Sequence, residues 1–434
     1  MKKIINIQNT LLLAAILLFL ACKKDYGNLN GASVEEYQNN ASVAQLNNLV
    51  SGTESGMRNS IAFYLDDVGT IGREVYHFSN SEPRYVTDLL GANNSTLSGS
   101  NFYIATPWAS RYRVVKNCNV LIDAATKSTV ITDAQRKAYT GFAKTIKAYQ
   151  LLLNLNLTDS NGVRIDVSDP DHLGPIVDYN TGLAAISSLL DEGATDLSGA
   201  DVAFPLAGFG NFGDAPGLVK FNRALSARVD VYQKKWSEAL TALSASFLDL
   251  NGALSTGVYN VFGTGSGDQL NPAFIPQNQT GEVRVAHPSF AAEILPGDDR
   301  ISKATLRSTT ASISAGLSSD RDAWVYTSST APIPIIRNEE LILIYAEANI
   351  QLNNFTDAVH GLDIIREKHG LTGYSGPQTT GALIDEMLYE RRYSLYFEGH
   401  RWIDMRRYNR LNELPVDRPG DDVWSQFPLP VTEQ

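Results

Sequence analysis

"NEELILIYAEANIQLNNFTDAVHGLDIIREKHG", residues 338–370, decides the fold. Its first half is apolar on nearly every side and follows Pro332 and Pro334. Asn338 stands as an N-cap, with Glu339 and Glu340 in the first turn, where acidic side chains oppose the positive end of the helix dipole. A helix apolar all round belongs in a core. The second half carries Ala358, Leu362 and Ile365 at i, i+4 and i+7 and stops at Gly370, a residue suited to ending a helix. Only a few residues separate the halves, so the spacing predicts two antiparallel helices.

Working outward, the same grammar recurs. "FNRALSARVDVYQ" and "KKWSEALTALSASFLDL" read as helix, tight turn and helix, with Trp236, Ala239, Leu240 and Leu243 on one face. "DAQRKAYTGFAKTIKAYQLLLNL" is a long amphipathic helix, and "TGLAAISSLLDEGATDLSGA" is another. Small-residue and aromatic spacing inside such pairs is similar to tetratricopeptide-like repeats. Between the pairs, residues 51–106, 159–181, 201–218, 251–335 and 411–434 are rich in Gly, Ser, Asn and Thr. Within them "REVYHF" and "DAWVYTS" alternate like short strands. Loops of this length usually carry function.

The 434-residue chain is 43% hydrophobic with a formal charge of -11. That composition is globular, and the acidic balance excludes nucleic acid, whose binding rests on Lys and Arg neutralising phosphates. The opening residues form an export signal. Lys2 and Lys3 are its basic start, Leu11 to Leu20 its apolar core and Ala21 the small residue at the cut. Cleavage there leaves Cys22 at the new N-terminus, positioned for acylation. One chain anchors marginally and two or more anchor stably, at about 0.8 kcal/mol per buried methylene. Cys118 is then alone in "VVKNCNVLI", as a buried small hydrophobe.

"IIRNEELILIYAEANIQLNNFTDAVHGLDIIREKHGL", "MLYERRYSLYFEGHRWIDMRRYN" and the closing "FPLPVTEQ" together resemble the SusD/RagB family of outer-membrane nutrient-uptake lipoproteins. "TPWASRYRVVKNCNVLI" resembles that family's N-terminal helix motif, and "VKFNRALSARVDVYQKKWSEA" its middle repeat. The resemblance implies a mainly α, tetratricopeptide-like superhelix of helix pairs, with long loops and a few short strands forming a ligand face. It implies a lipid-anchored outer-membrane protein facing the exterior, which captures oligosaccharide or peptide and hands it to a TonB-dependent, SusC-like transporter without chemistry of its own. The organisation that follows is a signal peptide at 1–21, an anchor and spacer at 22–40, and a single domain at 41–434. Helical repeats fall at about 110–158, 182–250 and 338–410, and ligand-binding parts at about 51–106 and 251–335.

Other chemistries are weaker. "GFGNFG" at Gly208, Gly210 and Gly213 has the dinucleotide spacing but lacks the preceding strand and following helix. The six histidines show no zinc spacing, no cofactor is expected, and the Asp166, Asp169, Asp171 cluster reads as a solvated acidic turn. Asp66–Asp67 and Asp298–Asp299 would serve a glycosidase only if paired across a cleft, so a hydrolase stands below a peptide-binding member or an adhesion scaffold. "ERRYSLYFEGHRWIDMRR" is expected to be a packed aromatic stripe, with Glu390, Arg391, Arg392, Glu398 and Arg401 paired to neighbouring helices. Sugar capture needs flat rings beside polar groups. The selected residues are Tyr76, Phe78, Tyr103 and Trp324, with Arg84 and Asn101.

Overall fold

The computed structural model describes residues 37, 40–169, 171–313 and 316–433. The predicted leader, Cys22 and nearly all of the spacer lie outside the described residues. Helices dominate: α1 (Val43–Arg58), α2 (Ile61–Ile71), α3 (Phe102–Lys127), α4 (Asp133–Thr158), α5 (Tyr179–Leu197), α6 (Ala215–Tyr232) and α7 (Trp236–Ser244) precede the short α8 (Pro288–Glu293). The C-terminal set is α9 (Asn338–Gln351), α10 (Phe355–Lys368), α11 (Thr380–Ser394) and α12 (Arg401–Arg407). α3 packs on α4, α4 on α5, α5 on α6 and α6 on α7, while α9 packs on α10, α11 and α7. This stepwise packing is the predicted superhelix of helix pairs.

Local signals set the boundaries. Thr132 and Gln135 form a reciprocal capping box on α4, and Asp178 accepts from the N–H groups of Asn180 and Thr181 on α5. Gly141 and Gly193 let α4 and α5 approach closely, since a Cβ on Gly141 would sit 2.8 Å from the Gly193 carbonyl. Gly370 takes φ +80°, and its N–H and that of Leu371 close on the Glu367 and Arg366 carbonyls. Only a residue tolerant of the left-handed region ends a helix in this way. α9 is buried on almost every face although it contains three glutamates. Each is spent internally: Glu340 on Arg228 (2.6 Å), Glu347 on Arg407 (2.8 Å) and Glu339 on Arg337 and on His369 (2.8 Å to the His).

Three expectations need correction. Residues 51–71 are not loop, because α1 and α2 occupy Val43–Arg58 and Ile61–Ile71. The Ser- and Gly-rich α1 is secured by a Ser42–Gln45 capping box and by burying Leu46, Leu49, Val50 and Met57. Asn338 does not cap α9: it is the first helical residue, and its amide clamps the 249 backbone, accepting from Asp249 N–H (2.9 Å) and donating to its carbonyl (2.7 Å). Most of "DAWVYTS" lies beyond its strand.

The strands are β1 (Val75–Ser79), β2 (Val163–Arg164), β3 (Ile176–Val177), β4 (Gly257–Asn260), β5 (Glu282–Ala286), β6 (Ala304–Ser312), β7 (Ser318–Ala323) and β8 (Ile333–Arg337). One sheet runs β1-β5-β7-β6, and β2–β3 and β4–β8 pair separately. "REVYHF" is thus β1, as its alternation predicts. "GFGNFG" is a turn with Gly208 and Gly210 at positive φ. Cys118 is fully buried, its thiol pushed by burial to about 12. Trp108 and Trp402 are core residues.

Candidate functional site

The site is built on β1 and β5, antiparallel with Tyr76 opposite Val285, His77 opposite Arg284 and Phe78 opposite Val283. Side chains alternate across a strand, so Tyr76 and Phe78 share one face and His77 takes the other. The first face is covered. Tyr76 and Phe78 stack at 5.5 Å and pack with Val86, Leu90, Val283, Val285 and Leu317. They are 2% and 3% exposed, and so hold the sheet together rather than offering a platform. Tyr103 is fully buried as well; its hydroxyl donates to Asp88 (3.0 Å) and accepts from Ser98 N–H (2.8 Å) and the Asn101 amide (2.9 Å). Three of the four predicted rings are therefore structural.

The other face holds a polar centre. The Arg284 guanidinium forks onto Asp66 at 2.6 and 2.8 Å, and Asp66 also meets His77 Nδ1 at 3.1 Å. His77 Nε2 reaches Glu282 at 2.7 Å. A ring whose two nitrogens both face carboxylates is favoured as the imidazolium. Burial works against that charge, but Asp66 and Glu282 outweigh it and raise the His77 pKa. Burial would likewise lift Asp66, yet Arg284 and His77 hold it well below the usual carboxylate range. Asp66 is held as an ion, whereas the pKa of adjacent Asp67, buried with no hydrogen-bond partner for either oxygen among the described residues, is pushed up by burial and by Asp66.

Two separate sets of rings adjoin this centre, one through His77 and one beyond Arg284. His77 stacks on Tyr85 at 3.9 Å, Tyr85 meets the edge of Phe102 at 5.1 Å, and Phe102 meets Phe63 at 5.8 Å. Toward the second, Arg284 donates to the carbonyls of Pro272 (3.2 Å) and Ala273 (3.1 Å), fixing Phe274 6.1 Å from Trp324. Phe63, Phe102, Phe274 and Trp324 are half-buried. Arg84 lies over Phe102 at 5.0 Å and donates to Asn101 Oδ1 (3.0 Å) and to Glu82. The structure thus brings Arg84 and Asn101 together and leaves Trp324 in the other set.

Phe63, Phe274, Glu282 and Arg284 were missed from the sequence. The signal for the last two is the alternation in "EVRVA", which puts Glu282 and Arg284 on one face and Val283 and Val285 on the other. The arrangement can cover the apolar face of a flat ligand and offer amide, guanidinium and carboxylate partners to hydroxyls. Two of the candidate hydrolytic carboxylates are engaged in ion pairs. Asp66 is spent on Arg284, and Asp298 binds Arg300 within 2.8 Å. Among the described residues no group of three His, Cys, Asp or Glu could hold a metal ion, and no helix is long and apolar enough to cross a membrane. A concavity of about 700 Å³ along α3, beside Tyr112, Lys116 and Arg164, contains none of the predicted rings.

The model of the SusD family matches residues 284–423, from Arg284 of the polar centre through α9–α12. Over those residues the chain is similar to the SusD family. Solved SusD structures show the same fold over most of its length. A SusD superfamily protein from Bacteroides vulgatus is 14% identical over 90% of this chain and 96% of its own, with a TM-score of 0.69. A SusD-like carbohydrate binding protein from the same species is 16% identical over 84% and 83%, with a TM-score of 0.67. NanU of B. fragilis is 14% identical over 93% and 96%, also at 0.67. At these identities the likeness establishes the fold. No curated protein sequence matches significantly.

Proposed function

We propose that this SusD-like chain is a cell-surface lipoprotein, tethered to the outer membrane through acylated Cys22, which binds oligosaccharide and passes it to a TonB-dependent SusC-like transporter. Residues 41–434 act as one binding unit behind the spacer. The observation that carries the reading is the set of half-buried rings, Phe63 and Phe102 beside Arg84 and Asn101 and Phe274 beside Trp324, in a chain whose fold is shared with a protein named for carbohydrate binding. Burying ring faces contributes about 25 cal/mol per Å² of apolar surface. A few rings therefore give modest affinity, suited to a carrier that must release its cargo.

Isothermal titration against plant, algal and host glycans, with a reducing-end assay on the same samples, tests this. Heat of binding without new reducing ends is expected. Silence across glycans with a response to peptides overturns the oligosaccharide assignment, and depolymerisation overturns binding without turnover. Pull-down of the native protein should bring a large β-barrel with it, and intact-mass analysis should find acyl groups on Cys22.

A further inference from the structure

The charged run "ERRYSLYFEGHRWIDMRR" was expected to spend all its charges on neighbouring helices, and nearly all are spent. Glu390 meets Arg300 (2.6 Å), Arg391 meets Asp404 (2.7 Å), Arg392 meets Glu293, and Glu398 meets Arg337 (2.8 Å). Arg406 pairs with Asp159 (3.0 Å) and Arg407 with Glu347 (2.8 Å). Arg401 alone breaks the pattern. Among the described residues its guanidinium makes no ion pair, and its Nε is buried without a hydrogen-bond partner. It lines an open cavity of about 580 Å³ together with Arg392 and Arg410, above a floor of Leu388 and Met405.

We propose that this cavity is an oxyanion site, with Arg401 as its ligand. The carboxylates nearby do not fill the role. Asp385 (2.5 Å) and Glu413 (3.8 Å) face Arg410, and Glu293 is taken by Arg392. Glu74 approaches Arg401 from the core, but burial lifts its pKa to about 8, so it stays largely neutral at pH 7. Burial first, then the like charge of Arg392, bring Arg401 down to about 10 against the opposing pull of Glu74 and Glu293. A planar fork of donors in a partly dry, arginine-lined recess is matched by carboxylate, sulfate or phosphate. Tyr389 borders the cavity and is held by hydrogen bonds to Leu295 N–H and Asp298 (2.9 and 3.1 Å), giving a sugar that carries such a group a ring edge to rest against. The site uses none of the residues of either ring set.

The test is titration of the whole soluble chain with sodium sulfate, sodium phosphate, glucuronate and glucose at constant ionic strength in chloride. Sulfate or phosphate should bind while glucose does not, and a response confined to glucuronate identifies the anion as one carried on a sugar. Arg401→Gln should weaken the response about tenfold without changing neutral-glycan binding. Arg401→Lys, which keeps the charge and loses the fork, should fall between. If Arg401→Gln fails to fold, a selenate soak of wild-type crystals decides: the anomalous peak should lie within hydrogen-bond distance of Arg401. No response beyond chloride, full retention in the Gln variant, or no peak there overturns the proposal.

Discussion

The α9–α12 helices and the β1–β5 face both bury charge, and they differ in how much of it is paired within one stretch of sequence. Arg391 finds Asp404 and Arg407 finds Glu347 within 13 and 60 residues, and the chain there is dense in Arg and Glu. On the sheet face Asp66 meets Arg284 across 218 residues and His77 meets Glu282 across 205. The pairs made within α9–α12 are therefore written as a motif, while Arg228–Glu340, Arg392–Glu293 and Asp66–Arg284 exist only once the fold brings them together. The α9–α12 pairs fix the scaffold, and the Asp66–Arg284 centre fixes the rings beside it.

The largest break in that comparison is Arg300→Met. Arg300 is almost fully buried and binds Asp298 twice, Glu390 and Ser394 within 2.9 Å. Removing it strands two buried carboxyls. Burial already holds Glu390 near 7 with the arginine in place, so the variant must keep it protonated. Urea unfolding should show a loss of about 3–5 kcal/mol. A loss below about 1 kcal/mol would erase the distinction between a scaffold ionic core and a surface one.

Asp67→Asn sharpens it from the other side, because this carboxyl is buried with neither oxygen satisfied among the described residues. Its folded pKa lies above the ordinary 3.8, raised first by burial and then by Asp66. Above pH 3.8 the unfolded chain has lost a proton that the folded chain retains, so stability falls as pH rises through that window. The amide removes this slope and should stabilise the protein at pH 7 by about 1–3 kcal/mol. Equal melting temperatures at pH 5 and pH 8 for variant and wild type alike would refute the assignment.

His77→Gln probes the same centre with a smaller expected effect and the same sign of pH dependence for a different reason. A histidine raised above its ordinary 6.5 stabilises the fold fully below that value, and the contribution is lost as pH climbs through its folded pKa. With Glu282 half-exposed, the difference between wild type and variant should be of order 1 kcal/mol at pH 6 and shrink in alkaline buffer. Hydrogen exchange of the β1–β5 amides should follow the same curve.

How far the sequence reaches is set by the range of the interactions. Helices with a clean 3.6-residue stripe or a strong cap, such as α4 and α10, were legible, and so was α9 through its all-round apolar run. α1 was obscured by "SGTESGMRNS", whose Ser and Gly content mimics a loop, although Ser42 and Gln45 already spelled a capping box. Tyr76 and Phe78 were misassigned for another reason. An aromatic beside Arg and Asn reads as a ligand platform when one face of the strand is wet, but β1 is buried on both faces from Val75 to Phe78. Nothing local distinguishes those cases, since the cover comes from residues 86, 90, 283, 285 and 317. Arg401 shows the converse: its neighbours in the motif are all paired, and only the folded arrangement reveals that it is not.

Trp324→Ala carries the smallest expected change and the most direct bearing on function. The ring is half-buried, and its backbone N–H is held by the Lys303 carbonyl at 2.7 Å, so the main chain there does not depend on the side chain. Folding stability should shift by no more than about 0.5 kcal/mol. A ligand covering one ring face gains roughly half of what full burial of a large side chain yields, about 1 kcal/mol, which is roughly five-fold in Kd. Binding of a responsive neutral glycan should weaken by that factor while the melting temperature stays put. The same measurement on Phe102→Ala tests the other set of rings. If only one set responds, ligand contact is confined to that side of the Asp66–Arg284 centre; if neither does, the rings are packing alone and the site lies elsewhere on the fold.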